Sequence, residues 1–450
     1  VKFSFDAWKE GNVAPSTVTF SIQPPALKPD APKFEPLNEA FAGTLPHPAK
    51  TSTLPAVRYS ADGKRLLVAG NMYSGVVQLW EVDARKELLR IAGPKPTRGN
   101  ADAMSMLTSQ FAMLSPDSKT VYVPTREEKS VRIEKNGKKA DRHENAGRVR
   151  RWDVATKKEL EAFAPPAEFG NQESDLSPDG RFVHSVELKS GEGPQEATIT
   201  LAVWDTASGK RTVIGPGRLW APPKFLPGGE RVAFTGFDDR TLFVAVHSLP
   251  DGKEVVKKLF PEVKDWASTL VDVSADGTLA LNLGGAKGKQ TATVFLDPKT
   301  LDEVARWTGP AKPVYFGHTD GRFTPDGRRF VAIDGDNTLN VFDLAAKKTV
   351  RTVKLEGTPI RHHVSPDGRW FATHWTPKGM DPPPGQLFAD PDVQPQVRVV
   401  LVDLSDPDSK PFMLIGPRGT AWGMAFRPNG KQLALGGTGG VHLFDLTKVK

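Results

Sequence analysis

Short runs of branched, aromatic and other apolar residues alternate along this chain with a small polar phrase that returns eight times. The phrase is Ser-Ala-Asp-Gly at 60–63 and 274–277, Ser-Pro-Asp at 115–117, Ser-Pro-Asp-Gly at 177–180 and 365–368, and Thr-Pro-Asp-Gly at 324–327. Looser copies are Leu-Pro-Gly-Gly at 226–229 and Arg-Pro-Asn-Gly at 427–430. Pro presets φ at the first turn position, Asp or Asn tolerates the bend, and Gly supplies positive φ, so each phrase predicts a tight turn between two strands. The runs that follow, such as 65–69 and 76–80, have the content of strands buried on one or both faces. A second run usually closes on an apolar or aromatic residue and an acid: Trp80-Glu81, Trp152-Asp153, Trp204-Asp205, Leu296-Asp297, Phe342-Asp343, Val402-Asp403 and Phe444-Asp445. The fourth copy, near His247-Ser248, lacks the acid. Each unit therefore reads as a small antiparallel meander, and self-similarity of this kind marks a repeat architecture.

The stretch from Tyr59 to Ala69, Tyr-Ser-Ala-Asp-Gly-Lys-Arg-Leu-Leu-Val-Ala, followed by Val77 to Val82, Val-Gln-Leu-Trp-Glu-Val, resembles the repeats of bacterial WD-repeat proteins. The resemblance covers roughly residues 50–450. It implies an all-β fold, a single closed β-propeller of eight four-stranded blades, with seven as the alternative if the degenerate fourth copy is absorbed differently. Where many family members carry Gly-His, this chain has Gly-Pro at 93–94, 215–216, 309–310 and 416–417, and Gly317-His318 sits too close to its turn phrase to fill that slot. Pro supplies no imidazole and removes a backbone donor. Packing between sheets, more than a repeated polar network, is thus expected to hold the blades.

The two ends of the chain predict how the ring closes. The last repeat, 422–445, has text for three strands only, and Leu37-Asn-Glu-Ala-Phe-Ala42 resembles the outer-strand text Glu159-Leu-Glu-Ala-Phe-Ala164. Residues near 37–45 are expected to complete the last blade, leaving no exposed sheet edge across the closure. Residues 1–36 are read as a separate segment: one or two strands around Phe3, Phe5, Trp8 and 18–22, then a connector carrying Pro24, Pro25, Pro29, Pro32 and Pro36, a spacer or strap, with a residual module of a larger protein as the alternative.

In a four-stranded meander the links between blades and the second-to-third-strand loops leave on one face. The long insertions all belong to those two classes: 94–110, 126–147, 188–197, 284–290 and 376–396. Loops of this length are commonly functional, and binding residues concentrate on loops held by a rigid scaffold. From Arg126 to Arg151 there are ten Lys or Arg against five acids, leaving +5 of the chain's +7. Asn136-Gly137 reads as a hairpin turn, so the insertion is expected to form a projecting β-ribbon. Its candidate partner-binding residues are Arg126, Lys129, Arg132, Lys135, Lys138, Lys139, Arg142 and Arg148. They suit a protein partner, an acidic surface or a polyanion. A solvated hairpin whose mixed charges aid solubility is the plainer reading, and the lack of interleaved aromatics disfavours nucleic acid. The Pro-rich, slightly acidic insertion 376–396, with Asp381, Asp390 and Asp392, reads as an irregular loop or a lid across the disc mouth.

Chemistry-bearing residues are sparse. The chain has no cysteine, which excludes disulfides, thiolate metal sites and a cysteine nucleophile. Of nine histidines, His362-His363 and His374 could in principle build a metal site, but adjacent residues on a strand face opposite ways, so only one of the pair can look into the channel; His47, His143, His184, His247 and His442 are scattered. Ser208-Gly209-Lys210 leads to Val213 rather than Trp and does not recur, which argues against a quinone-cofactor propeller. No Gly-x-Ser-x-Gly elbow occurs, so no catalytic residue, metal or cofactor is assigned. No run is long enough to cross a bilayer as a helix. A chain starting at Val1 is read as processed or truncated, its missing start a signal peptide or another domain, with a location outside the cytoplasm slightly favoured. The expectation is a non-catalytic scaffold that binds a macromolecule through its loop-bearing face. The alternatives are an enzyme or small-ligand binder at the channel mouth using His363, His374 or acids of the insertions, and a structural module of an envelope or surface assembly.

Overall fold

The structure is a computed structural model that describes residues 2–5, 16–19, 35–47, 56–70, 76–92, 103–107, 111–135, 138–164, 169–189, 198–216, 223–238, 241–261, 263, 269–285, 289–308, 321–376, 396–419 and 421–449. It divides into two units, Val1–Pro36 and Leu37–Lys450. In the first, Lys2–Phe5 pairs antiparallel with Ser16–Thr19; the Pro-rich connector before Glu35 lies outside the described residues.

The second unit contains eight antiparallel sheets among the described residues, formed by residues 56–92, 103–163, 169–216, 224–260, 269–307, 321–354, 358–418 and 421–445, here blades 1 to 8. In blade 1 and blades 3 to 7 four strands follow chain order from the first, inner strand to the outer one, while blade 2 has five, Ala103–Leu107 and Met113–Leu114 both pairing with Thr120–Lys135. The degenerate phrase at 226–229 starts a full blade of its own, so the count is eight and not seven. Blade 8 has three strands from its own repeat and takes its outer strand from Phe41–Pro46, which pairs antiparallel with Gly440–Asp445. That strand starts later than the predicted 37–45. The preceding residues form a turn instead: Asn38 donates its backbone N–H to the Ile415 carbonyl of blade 7 while its side-chain oxygen accepts from the Ile415 N–H.

The apolar residues explain why the sheets form a ring. Because successive side chains on a strand point to opposite faces, Leu66 and Val68 pack toward blade 8 while Leu67 and Ala69 pack toward blade 2. Likewise Phe330 and Ala332 meet blade 5, and Val331 and Ile333 meet blade 7. The buried apolar residues fall into eight clusters, each shared by two consecutive blades, and the pairing of blade 8 with blade 1 is one of them. Between blades 5 and 6, Phe295, Phe323, Phe330 and Phe342 meet with centroids 5.1–5.8 Å apart. Each fully buried side chain of this size stabilises the fold by roughly 1.5–3 kcal/mol relative to exposure.

The turn phrases have a second role besides reversing the chain. In blade 1 the Ser60 hydroxyl donates to Asp62 (2.6 Å) and accepts from the Arg65 N–H (2.9 Å), and Asp62 accepts from the Lys64 N–H. The hydroxyl-to-carboxylate bond recurs in the phrases of blades 2, 3, 5, 6 and 7. The glycine of one phrase also lies against the proline of the phrase before it: Gly180 on Pro116, Gly368 on Pro325, and, across the closure, Gly63 on Pro428. The closing acids serve the other turn on the same face. Asp153, Asp205, Asp297, Asp343 and Asp403 each accept a backbone N–H two or three residues on. In blade 4, Ser248 instead donates to Asp251 (2.6 Å), which moves the acid into the turn.

Polar ties between blades do exist, several of them made by arginines. Arg427 of blade 8 holds Asp83 of blade 1 through two 2.8 Å bonds, Arg65 reaches the Ser118 carbonyl, and Arg351 reaches the Asp403 carbonyl. They supplement the packing at positions unrelated to the Gly-Pro sites.

Two glycine substitutions separate the local role of the phrase from its interblade role. Gly228 has φ +88° and open space around it, so Gly228→Ala should cost only the left-handed backbone penalty, about 1–2 kcal/mol. Gly180 has φ +76°, and a Cβ there would come 2.5 Å from the Pro116 ring. Gly180→Ala should therefore cost about 1–3 kcal/mol more than Gly228→Ala in thermal or urea unfolding; equal losses would show that the phrases do not bear on one another.

Candidate functional site

The alternation of strands sorts the connections. First-to-second and third-to-fourth turns leave one face and are occupied by the hydrogen bonds described above. The interblade and second-to-third connections leave the other. In blade 2 these two classes pair with each other. Thr120–Lys135 and Lys138–Asp153 form one continuous antiparallel ladder from Thr120↔Asp153 to Lys135↔Lys138, and Ala103–Leu107, part of the link from blade 1, pairs with 125–129. The insertion is thus a β-ribbon that continues the second and third strands beyond the sheet, with a third strand along its base. Its tip, Asn136 and Gly137, lies outside the described residues, as do 190–197 of the third-blade insertion, 286–288 of the fifth and 377–395 of the seventh.

Register distributes the ribbon's charges. In register, Lys129 is paired with Glu144, Arg132 with Asp141, and Lys139 with Glu134. Arg126 faces Gly147, Arg142 faces Val131, Lys135 faces Lys138, and Arg148, opposite Thr125, is exposed. The register leaves Arg126, Lys135, Lys138, Arg142 and Arg148 without an acid across the ladder, and Glu127 and Glu128 without a base. Arg150 and Arg151, counted in the same charge run, serve the blade: Arg150 makes a two-bond ion pair with Glu159 (2.6 Å each) and lies over Trp152, and Arg151 lies over Phe163.

A second candidate region lies where the first strands of the blades adjoin one another. The residue just before each phrase packs against the preceding blade: Tyr59, Leu114, Leu176, Phe225, Val273, Phe323, Val364 and Phe426. By strand alternation the residue before that points away from the preceding blade, toward the following one at the inner edge of the ring, as Met113 does against blade 3 and Ala425 against blade 1. In chain order these are Arg58, Met113, Asp175, Lys224, Asp272, Arg322, His363 and Ala425, and all but Met113 are exposed or half-buried. Six of the eight are ionisable, a pattern that emerges only when the repeats are aligned on their turns. Arg58 of blade 1 passes Met113 of blade 2 to meet Asp175 of blade 3 at 2.9 Å. Burial would raise the Asp175 carboxyl, but Arg58, with His184 beside it, holds it below the usual carboxylate range. Asp272 accepts the Phe323 N–H at 2.9 Å.

Two ionisable groups from different blades do converge here, the feature that would favour an enzyme. An arginine–carboxylate pair keeps the acid ionised and occupied, however, which suits neither general acid nor nucleophile. Of the histidines singled out by the sequence, His362 is buried against Phe371 and His363 is half-buried, and strand alternation divides the adjacent pair between two faces. His374 is buried on the second strand, opposite Ile360. Among the described residues no group of three or more His, Asp or Glu is arranged to hold a metal.

His184 was hidden in the sequence. It pairs in register with Asp175, packs against Phe225 with centroids 5.4 Å apart, and neither ring nitrogen has a hydrogen-bond partner among the described residues. The equivalent position in blade 1, opposite Arg58, is Leu67. Burial lowers the pKa of His184, His374 and His442 to about 4, and burial together with Arg322, His374 and Arg361 lowers that of His363 to about 3.

These histidines titrate near 6.5 in the unfolded chain and lower in the folded one, so below pH 6.5 the unfolded state binds more protons and stability falls as the pH drops toward 4. Each contributes up to about 3 kcal/mol over that window. His184→Leu, which copies blade 1, should flatten the decline of the melting temperature between pH 7 and 4.5; an unchanged slope would remove His184 from the account.

No family model matches the chain, and no curated protein does. Among solved structures, the C-terminal WD40 domain of Sif2 superposes with a TM-score of 0.58 at 11% identity, over 90% of this chain and 97% of that one. At that identity the likeness concerns the fold alone, and together with the ring of blades it establishes a WD40-type β-propeller.

Proposed function

We propose that the protein is a non-catalytic scaffold that binds a macromolecular partner, foremost a protein with an acidic surface, through the face bearing its interblade and second-to-third-strand connections. The observation that supports this most is the pairing of 103–107 with 125–129, which joins both classes of connection into one sheet projecting from that face. The opposite face is occupied by turns whose glycines, hydroxyls and carboxylates are engaged in holding the ring. Arg126, Lys135, Lys138, Arg142 and Arg148, which lack an acid opposite them in register, are the ribbon positions expected to contribute most to the contact, with Lys129, Arg132 and Lys139 supporting them. Charge of this kind acts strongly on association rate and on partner choice.

Replacing 126–147 with a two-residue Asn-Gly turn leaves the pairs from Thr120↔Asp153 to Thr125↔Arg148 in place, so the melting temperature should change by only a few degrees. Cross-linking capture from native extract should lose a partner that the full chain retains. Reversing Lys138 and Arg142 to Glu should weaken the same partner at least about tenfold and reduce the salt dependence of binding. An identical set of captured proteins from the full and shortened chains would refute the proposal.

A further inference from the structure

The two faces of the blade 2 ribbon differ. The ladder from Thr120↔Asp153 to Lys135↔Lys138 runs without a register shift, and the link strand Ala103–Leu107 accompanies it only as far as Lys129. Beyond that point the ribbon is two strands, 130–135 and 138–143. Residues paired across an antiparallel ladder share a face, and successive residues along a strand lie on opposite faces. One face of this outer half therefore holds Val131, Ile133, Lys135, Lys138, Ala140 and Arg142: three bases, three apolar residues and no acid. The other holds Ser130 and His143, with Arg132 opposite Asp141 and Glu134 opposite Lys139, so its formal charges cancel. Nearer the blade the difference fades, since Glu127 and Glu128 fall one on each face. The basic face is continuous with the face on which Val121, Val123 and Trp152 pack against blade 1.

We propose that the ribbon meets its partner through this basic face, and that the partner presents apolar side chains flanked by carboxylates, an acidic amphipathic segment of a protein. The inference rests on the ribbon being the binding element, as proposed above, and adds the face and the kind of segment. Two features select that occupant. Three bases with no acid among them attract carboxylates, whereas the opposite face carries both signs equally and prefers neither. The pair Ile133↔Ala140, set between Val131↔Arg142 and Lys135↔Lys138, separates a protein segment from a polyanion. A phosphorylated or sulfated chain answers the bases alone, while contacts between proteins combine an apolar centre with a polar rim.

Fluorescence anisotropy of two labelled acidic peptides against the full chain tests both parts, one peptide alternating Glu with Leu and the other Glu with Ser. The Glu-Leu peptide should bind at least about tenfold more tightly than the Glu-Ser peptide. Val131→Thr together with Ile133→Thr keeps every charge and the β-branched character of the strand, and should remove that difference. Lys138→Gln together with Arg142→Gln should weaken the Glu-Leu peptide at least about tenfold. Arg132→Gln together with Asp141→Asn, on the opposite face and with net charge unchanged, should leave it within about twofold. Melting temperatures should not change in any of the three, because the substitutions lie beyond the blade. Equal affinity for the two peptides, the behaviour of a surface that reads charge alone, would overturn the proposal, as would unchanged binding in the basic-face variants or an equal loss in the opposite-face variant. The chain lacking 126–147 keeps the two proposals apart. If it loses its captured partner while the basic-face variants retain theirs, the ribbon binds by another surface and only the present proposal fails; if it captures the same proteins as the full chain, both fail.

Discussion

Strands buried on both faces govern this structure. In the middle strands of each blade, neighbouring residues belong to different interfaces: Leu66 serves blade 8 and Leu67 serves blade 2; Phe371 serves blade 6 and Trp370 serves blade 8. A sheet of this kind has no face to turn to water, so every blade needs a neighbour on each side. Closure supplies the last two neighbours without leaving apolar sheet faces at the ends of the array. It depends on a strand from the far end of the chain, Phe41–Pro46, whose Leu45 completes the cluster between blades 8 and 1.

The same constraint explains where the remaining chemistry lies. With both sheet faces used for packing, polar variation is left to the turns, the connections and the inner edge of the first strands. The turn face is occupied by phrases that bear on each other, the glycine of one lying against the proline of the one before it at Gly63, Gly180 and Gly368, and against an aspartate at Gly229 and Gly430. The other face is free to carry elaborations, of which the blade 2 ribbon is the most extended among the described residues. The inner edge of the ring forms a third environment, where Arg58 of blade 1 and Asp175 of blade 3 pair across blade 2.

Much of the architecture was legible because it is local or periodic. The phrases specify turns, the apolar runs specify doubly buried strands, and their repetition specifies a ring; even the donor of the final strand shows in the likeness of 37–42 to 159–164. What was not legible depends on contacts between repeats. The proline of one phrase meeting the glycine of the next, the closing acids turning back to their own third-to-fourth turn, and Arg150 and Arg151 serving the blade all need a neighbour placed in space. The charges at the inner edge of the ring were overlooked for a related reason. Arg58, Asp175, Lys224, Asp272 and Arg322 each look like ordinary polar residues at the end of a strand, and their common position emerges only after alignment on the turns. His184 gave no signal, since a histidine within an apolar strand resembles its neighbours until its register partner is known to be Asp175.

Ring closure is the claim on which the rest depends, and a chain with no cysteine allows a direct measurement of it. Thr44 and His442 are paired in register, with Oγ1 and Nδ1 3.0 Å apart. Thr44→Cys and His442→Cys together should form an intramolecular disulfide on mild oxidation, giving a monomer that migrates faster when unreduced. Its melting temperature should rise, since a link spanning most of the chain restricts the unfolded state by up to about 5 kcal/mol. Failure of the two thiols to join, or disulfides formed only between molecules, would contradict a ring closed by its amino-terminal strand.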